Sequence, residues 1–368
     1  MCAGLLRNVC MLALGCTAMA QPDSNGSVGL PLPSTAFQQS VERCGGRVDF
    51  VFGDDRPFAQ CHASTLVEAA DGTLLCAWFG GTKEKHPDVA IWYARYSDGH
   101  WSSVERLAKV NQTAHWNPVL FRDEGRTIYA FFKVGPEIAE WRTYWTRSED
   151  DGRTWTEPTE LVAGDEGGRG PVRTKPIVLT DGSWVAGAST EKDAWKAFAD
   201  RSEDKGRTWH RSADFDMDVP LKRGRGAIQP TLWESTPGHV HALLRTTEGY
   251  IARADSVDNG RTWCKAYRTD LPNPNSGIDV LALSPERILL VYNPVGKNWG
   301  PRTPLTLAES RDNGKTWRNL AHLEDDPDPK AEFSYPAIVR TQNGVAISYT
   351  YQRRYIRCWR IPMVALPE

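Results

Sequence analysis

The sequence predicts an all-β fold, a six-bladed β-propeller, and the first evidence is a repeated phrase of eight residues. The phrase Ser-Glu-Asp-Asp-Gly-Arg-Thr-Trp occupies residues 148–155 and recurs, with small changes, at 202–209, 256–263 and 310–317. Each copy therefore starts 54 residues after the one before it, and a shorter, degenerate fifth copy lies at 97–101. A repeat of this length indicates one structural unit that is used several times along the chain.

A second periodicity consists of paired apolar segments that resemble short strands. The second members of the pairs, each opened by turn residues, lie at 71–78, 124–132, 181–188, 238–245, 285–292 and 343–350. Regularly spaced strands with turn signals favour an all-β fold, and units with room for four strands fit the blades of a propeller. Because the sixth unit lacks the phrase, we expect residues 45–55 to supply its closing strand.

The repeated phrase predicts a tight hairpin turn. Asp side chains can accept hydrogen bonds from backbone amides two residues on, and Gly supplies the positive φ that such turns need. The Trp that ends each copy is expected to pack between neighbouring blades. The phrases are therefore interpreted as scaffold and not as a binding site.

The chain is expected to contain an export signal, a lead-in and one folded domain. Residues 1–20 combine a basic residue, an apolar run and a small-residue cleavage site, which predicts a secreted or periplasmic protein. A lipoprotein anchor at Cys16 is the alternative. Residues 21–44, rich in Ser, Gly, Pro and Gln, are predicted to be a flexible lead-in, and the propeller is assigned to 45–368. After residue 20, the sequence has no segment that is long and apolar enough to span a membrane.

Charge and cysteine content narrow the possible partners. The formal net charge of −2 gives no reason to expect attraction to nucleic acid or to membranes. Five cysteines follow residue 20, at spacings that do not suit a zinc site, so no metal or cofactor is expected. A disulfide between Cys61 and Cys76 is one possibility that the sequence leaves open, and it leaves the oligomeric state open as well.

Basic residues gather near the predicted inner ends of the strands. On a propeller these ends converge on the central axis, which predicts a basic funnel for an anionic small molecule or an acidic glycan. The residues concerned are Arg169, Arg173, Lys175, Lys222, Arg223, Arg225, Arg245, Lys297 and Arg302.

The repeated phrase resembles the Asp box, or BNR repeat, of the sialidase superfamily, over residues 45–360. This resemblance implies a six-bladed propeller of sialidase type and exo-cleavage of a carboxylate-bearing sugar from a glycan. It also implies three arginines that bind the substrate carboxylate, a Tyr–Glu pair as nucleophile and an Asp as acid and base.

Three positions match the pattern that the resemblance implies. Arg245 and Arg302 are similarly placed to the second and third carboxylate-binding arginines, and Tyr335 to the nucleophilic tyrosine. The set is chemically coherent, since guanidinium groups bind carboxylates in bidentate fashion and a nearby cation helps a phenol to lose its proton.

Two positions depart from the family pattern. His62 stands where the family has its first arginine, and Gln229 stands where it has the glutamate that activates the tyrosine. A glutamine amide can orient a hydroxyl group but cannot accept its proton. The acid and base is expected on the loop after the second strand of the first blade, which offers Glu84, His86 and Asp88.

These departures leave three interpretations of the site. The first is the exo-acting hydrolase, with Tyr335, His62, Gln229 and the 84–88 loop as its catalytic groups. The second is a lyase that cleaves beside a uronic acid by β-elimination, with histidines moving the protons. The third is a non-catalytic glycan-binding propeller. In the hydrolase interpretation Lys175, Asn117 and His115 join Arg245 and Arg302 in binding substrate.

Overall fold

A computed structural model describes residues 30–165, 168–218, 221 and 224–367, and these form a six-bladed β-propeller, as predicted. Each blade is an antiparallel sheet, five of them with four strands and one with five. The signal assigned to residues 1–20, with Cys16, lies outside the described residues, as do Lys222 and Arg223.

The strands are numbered in chain order, and each blade from the first to the fifth uses a continuous stretch of chain. The first blade has β2 (Gln60–Glu68), β3 (Leu74–Gly81), β4 (Ala90–Ser97), β5 (His100–Trp101) and β6 (Glu105–Ala108). The second has β7 (His115–Arg122), β8 (Ile128–Val134), β9 (Arg142–Ser148) and β10 (Thr159–Glu160). The third has β11 (Ile177–Val178), β12 (Trp184–Glu191), β13 (Trp195–Ser202) and β14 (His210–Arg211).

The remaining blades follow the same plan. The fourth has β15 (Ala227–Thr236), β16 (His239–Thr246), β17 (Tyr250–Ser256) and β18 (Tyr267–Pro272). The fifth has β19 (Asp279–Ser284), β20 (Arg287–Tyr292), β21 (Leu305–Ser310) and β22 (Arg318–Glu324). The sixth has β23 (Phe333–Thr341), β24 (Gly344–Tyr351), β25 (Tyr355–Pro362) and the early strand β1 (Arg47–Phe50). Short 3-10 turns lie at Ile138–Glu140 and Met363–Ala365.

The sixth blade closes the ring with a strand from the other end of the chain, as the sequence predicts. Strand β1 pairs antiparallel with β25, with Arg47 opposite Arg360 and Phe50 opposite Arg357. This pairing joins the two ends of the propeller chain within one blade.

The prediction of a flexible lead-in over 21–44 is wrong for its last part, because Ser34–Arg43 form helix α1. Phe37 and Val41 are four residues apart and therefore share one face of the helix, where both are fully buried. The Phe37 ring stacks on Trp359 of β25 with ring centroids 5.3 Å apart. Ordering of this segment follows from that apolar face. No helix in the described part of the chain is long and apolar enough to span a bilayer.

The repeated phrases form the turns between the third and fourth strands of blades two to five, and the copy at 202–209 illustrates their construction. Ser202 Oγ donates to Asp204 Oδ1 at 2.9 Å and accepts from the Gly206 amide at 2.7 Å. Asp204 also accepts from the amide and the hydroxyl of Thr208, at 2.8 and 2.6 Å. Burial acts to raise the pKa of Asp204, but the hydrogen bonds from Thr208 and Ser202 hold it at about 2. Trp209 is buried and packs edge-on against Phe131 of the second blade.

The two ends of the ring differ in what they present. Connections between successive antiparallel strands alternate between the two ends of a sheet, so the hairpins from second to third strand lie opposite the Asp-box turns. At the hairpin end, the inner strands of four blades carry bulges with a left-handed residue. These residues are Ala63 (φ 56°), Asn117 (39°), Gln229 (55°) and Tyr335 (54°). Such backbone is unfavourable for residues with a side chain and often marks functional positions.

The interior of the propeller contains free thiols and a buried amine. The thiols of Cys61 and Cys76 are both free, so the possible disulfide between them is not formed. In the second blade, fully buried Lys133 donates from Nζ to Thr143 Oγ1 at 2.6 Å and to the Arg169 carbonyl at 3.0 Å. Burial lowers the pKa of Lys133 to about 7.

Candidate functional site

Tyr335 lies at the centre of the candidate site, on the bulge of β23. Its Oη accepts a hydrogen bond of 2.8 Å from Arg245 Nη1. Guanidinium carbons of Arg173, Arg245 and Arg302 lie 5.2, 5.6 and 5.7 Å from the centroid of its ring. The His62 ring lies closer still, with a centroid separation of 4.2 Å. The phenol is therefore surrounded by positive charge.

Arg245, at the end of β16, is fixed by neutral partners. Its Nε donates to Asn275 Oδ1 at 2.9 Å, and its Nη1 donates to Gln229 Oε1 at 3.2 Å as well as to Tyr335. Gln229 Nε2 donates in turn to Glu191 Oε1 at 3.4 Å. Gln229 therefore reaches the tyrosine through Arg245, whereas the sequence suggested that it orients the phenol itself.

A second group of charges adjoins Tyr335 from the fifth, sixth and first blades. Glu332 Oε1 accepts from Arg302 Nη1 at 2.8 Å and from Arg353 Nε at 2.9 Å. Arg353 also pairs with Glu84, which belongs to the hairpin between β3 and β4. Burial acts to raise the pKa of Glu332, but the two guanidinium groups hold it below its usual value. Glu332 therefore holds two cations side by side.

Three of these arginines each have one guanidinium nitrogen without a hydrogen-bond partner in the described part of the chain. Within the described residues, the Nη2 atoms of Arg245, Arg302 and Arg353 have no hydrogen-bond partner, although other nitrogens of each guanidinium are engaged. A guanidinium that is fixed on one side and open on the other suits a carboxylate, since little side-chain freedom is then lost on binding.

His62 is buried against Tyr335 and only partly hydrogen-bonded. Its Nδ1 shares a hydrogen bond of 2.9 Å with Thr350 Oγ1, and its Nε2 has no partner among the described residues. Burial, followed by the charges of Arg353 and Arg302, lowers the pKa of His62 well below its usual value. The imidazole is therefore neutral near pH 7.

His86 and Asp88 are not joined to this cluster. His86 Nδ1 lies 2.7 Å from Asp88 Oδ1, and both side chains are about half exposed. Asp88 accepts from the amide and hydroxyl of Thr82, at 3.0 and 2.6 Å. This pair stabilises its own loop, and of the three candidates on that loop only Glu84 contacts an arginine of the site.

His115 is also misplaced by the sequence prediction, because it lies in the interior. Its side chain is fully buried and stacks on Phe132, with centroids 5.8 Å apart. Its Nδ1 contacts the Thr113 carbonyl at 2.8 Å and its Nε2 accepts from the Val110 amide at 2.9 Å. Burial lowers its pKa to about 4. Both ring nitrogens are used, which leaves none for a substrate.

Lys175 is used inside the ring, contrary to its predicted role in binding substrate. Its Nζ donates to Asp279 Oδ2 at 2.9 Å and to the Val280 carbonyl at 2.8 Å. Asp279 Oδ2 also accepts from the Ile338 amide, so this ion pair ties the third blade to the fifth and sixth. Asn117 lies on the bulge of β7, and the residue is buried, at 4% exposed.

Sequence reasoning missed three groups that complete the site: Arg353, Glu332 and Asn275. Arg353 lies in the hairpin between β24 and β25, where Gln352 and Arg353 both have positive φ. The only available signal was the unusual pair Arg353-Arg354 directly after a predicted strand. Asn275 belongs to the Pro-Asn-Pro-Asn run at 272–275, which indicates a turn but not its partner.

Comparisons with known proteins bear on the fold and the family. A family model described as "BNR repeat-like domain" matches residues 72–347. A Hadza microbial sialidase is 20% identical with a TM-score of 0.68 over 83% of this chain, which spans 66% of that protein's length. A Dyadobacter fermentans protein of unknown function is 18% identical with a TM-score of 0.69, over 86% of this chain and 99% of that one. NanB sialidase of Streptococcus pneumoniae is 13% identical with a TM-score of 0.67, over 86% and 71%. None of the curated proteins matches the chain.

Proposed function

The chain belongs to the BNR repeat-like domain family, and we propose that it is an exo-acting glycoside hydrolase that removes an acidic sugar from a glycan. In this proposal the substrate carboxylate binds to the open sides of Arg245, Arg302 and Arg353. Arg353 takes the place of the arginine that His62 replaces in the first blade. The three guanidinium groups come from three different blades, so the ligand would sit across the axis above Tyr335.

One observation carries the proposal: a tyrosine oxygen bonded to Arg245 lies beside Arg302, which Glu332 joins to Arg353, and the Nη2 groups of these three arginines have no partner in the described chain. A cation on the phenol oxygen stabilises the negative charge that the oxygen carries when it attacks the anomeric carbon. The carboxylate held beside it fixes the sugar in position for that attack. Tyr335 is accordingly the proposed nucleophile.

Gln229 and Glu332 have positioning roles in this mechanism. Gln229 contacts Arg245 and not the phenol, so it keeps the guanidinium in the orientation that serves Tyr335. Glu332 holds Arg302 and Arg353 together and offsets part of their mutual repulsion. His62 packs on the phenol ring and limits its movement.

A second candidate function, β-elimination beside a uronic acid, is favoured by one specific observation. His62 Nε2 is buried beside Tyr335 without a hydrogen-bond partner in the described residues, and the imidazole is neutral. A neutral imidazole can accept the α-proton of a uronate whose carboxylate is bound by arginines. Hydrolysis and β-elimination predict different products, although both begin with a substrate carboxylate bound by the arginines.

Product analysis tests both functions at once. The purified protein is incubated with sialylated and uronate-containing oligosaccharides, and the products are examined by mass spectrometry. Products that together gain the mass of water, with a free acidic sugar, support hydrolysis, whereas an unsaturated uronate without added water supports elimination. Binding without any product would contradict both and leave a glycan-binding propeller.

A matched pair of variants connects the chemistry with the site. Tyr335→Phe is expected to abolish product formation, since it removes the nucleophilic oxygen but keeps the ring. Tyr355→Phe removes a hydroxyl group that bonds Asp54 on an exposed part of the sixth blade, and it should leave turnover unchanged. Full activity in Tyr335→Phe would refute the proposed nucleophile.

Export to the cell exterior or periplasm is part of the same proposal. It rests on the sequence pattern of residues 1–20, and a glycan substrate outside the cytoplasm is consistent with it. Amino-terminal sequencing of protein recovered from the producing cells tests it, and a mature chain that begins near residue 21 is the expected result.

A further inference from the structure

The carboxyl groups around the site differ in whether they are paired with a cation. Glu84 pairs with Arg353, and Glu332 pairs with both Arg302 and Arg353. Glu191 has no ion pair within the described residues, where it accepts a hydrogen bond from the neutral amide of Gln229. Among these three carboxyl groups, Glu191 is therefore the one that forms no ion pair with a guanidinium group of the described residues.

The position of Glu191 places it beside the reacting groups. It is the last residue of β12, at the hairpin end of the third blade, and its side chain is half-buried. A continuous series of contacts leads from Glu191 through Gln229 and Arg245 to the phenol oxygen of Tyr335. Glu84, from the first blade, is close enough to repel it electrostatically. Glu191 is thus connected to the phenol oxygen of Tyr335 through two intervening side chains.

The surroundings of Glu191 favour its protonated form. Burial raises the pKa of the carboxyl group, and the nearby charge of Glu84 acts in the same direction, against the opposing effect of Arg245 and Gln229. A general acid must hold its proton at the working pH, and buried carboxyl groups of glycosidases are adjusted in this way.

We propose that Glu191 is the general acid of the site, the group that protonates the departing glycosidic oxygen. This inference rests on the proposed hydrolytic function. As Tyr335, reacting as a phenolate paired with Arg245, forms a bond to the anomeric carbon, the bond to the glycosidic oxygen breaks. The Glu191 proton passes to that oxygen, and the rest of the glycan leaves as a neutral alcohol.

The second half of the reaction returns both groups to their starting state. The Glu191 carboxylate takes a proton from water, the water oxygen bonds to the anomeric carbon, and the bond to Tyr335 breaks to give the phenolate again. One water is consumed and two alcohol groups are formed, so the sum is hydrolysis with retained configuration.

The first-blade loop offers no equivalent group. Glu84 is engaged by Arg353, and Asp88 is engaged by Thr82 and His86. The proton donor expected there from the sequence is therefore reassigned to the third blade. Glu191 lies only 38 residues before Gln229 in sequence, on the neighbouring blade.

Leaving-group dependence is the decisive measurement. The substrates are sialyllactose, whose sugar leaving group needs a proton, and the 4-methylumbelliferyl glycoside of the same acid, whose phenolate leaving group does not. Glu191→Gln is expected to lower kcat/KM for sialyllactose by roughly 10²- to 10⁴-fold, and to lower that for the aryl glycoside by less than about 10-fold. Asp193→Asn is the control, because it makes the same change from carboxyl to carboxamide at an exposed residue two positions away. This variant should match the wild type on both substrates.

The outcomes separate this inference from the function on which it rests. An equal loss on both substrates, or no loss, with an active wild-type enzyme, would overturn the role of Glu191 alone. A wild-type protein that cleaves neither these substrates nor their glucuronic acid counterparts would overturn the proposed hydrolase, and the role of Glu191 with it. Glu191→Asp keeps a carboxyl group and should retain the fall of kcat at high pH, whereas a profile without that fall would also refute the proposal.

Discussion

Replacing Lys133 by Met is expected to remove a pH dependence from the stability of the protein. Lys133 is fully buried in the second blade, where burial lowers its pKa to about 7 despite the opposing effect of Asp165 and Asp200. In the unfolded chain its pKa returns to the ordinary value of 10.5. Between these two values the unfolded chain binds more protons than the folded one, so the free energy of unfolding rises with pH.

The magnitude follows from the two pKa values. Each pH unit between them adds about 1.4 kcal/mol, so the whole interval contributes about 5 kcal/mol. The contribution is absent below pH 7, where both states bind the proton, and is complete near pH 10.5. Lys133→Met cannot titrate and should lack this rise, although it also loses the hydrogen bonds to Thr143 and the Arg169 carbonyl.

Urea denaturation at pH 7, 8, 9 and 10 measures the effect as the difference between wild type and variant. That difference should shift in favour of the wild type by about 1.4 kcal/mol per pH unit. Lys196→Met, at a lysine whose side chain is 55% exposed, is the control and should show no such shift. A constant difference between wild type and Lys133→Met over this range would refute the reasoning.

Three further predictions concern the site and the scaffold. Tyr335→Phe should reduce kcat by at least roughly 10²-fold with little change in KM, because the phenol oxygen acts in the chemical step; an unchanged kcat in a steady-state assay would count against it. Arg353→Ala should raise KM by roughly 10- to 150-fold, the equivalent of about 1.5–3 kcal/mol for one charged hydrogen bond to the carboxylate. Its neighbour Arg354→Lys, exposed on the same hairpin, should behave as wild type in the same titration. Ser202→Ala should destabilise the protein by about 1–3 kcal/mol in urea denaturation, since it leaves the buried Gly206 amide without its acceptor; an unchanged midpoint would show that the Asp-box turn does not depend on this contact.

The repeated elements could be predicted because their information is local. The Asp boxes combine turn residues whose backbone preferences are set within eight positions, and the regular interval counts the blades. Closure by β1 also followed, because a unit without its own fourth strand needs one from elsewhere. The lead-in helix α1 was missed because its stability comes from Phe37 and Val41 packing on the sixth blade, and not from its composition.

The site was only partly predictable, for a different reason. Tyr335, Arg245 and Arg302 were proposed from a family resemblance and lie together in the structure. Arg353 lies at a hairpin, where the direction of a side chain depends on individual φ values and on the neighbouring blade. His115 illustrates the converse, since a histidine at the start of an inner strand can turn into the core and satisfy both nitrogens there.

The position of the site on the seam of the ring has a consequence for how the protein acquires its activity. His62 and Thr350 lie 288 positions apart in the chain, and Glu84 meets Arg353 across the same boundary between the last blade and the first. Contacts of such long sequence separation form late and slowly in folding. An open ring of five completed blades would hold Arg245 and Gln229 in place but would lack Tyr335 and Arg353. During refolding, the recovery of ligand binding would therefore report when the two chain ends finally join. It should come later than the burial of the tryptophans in the individual blades.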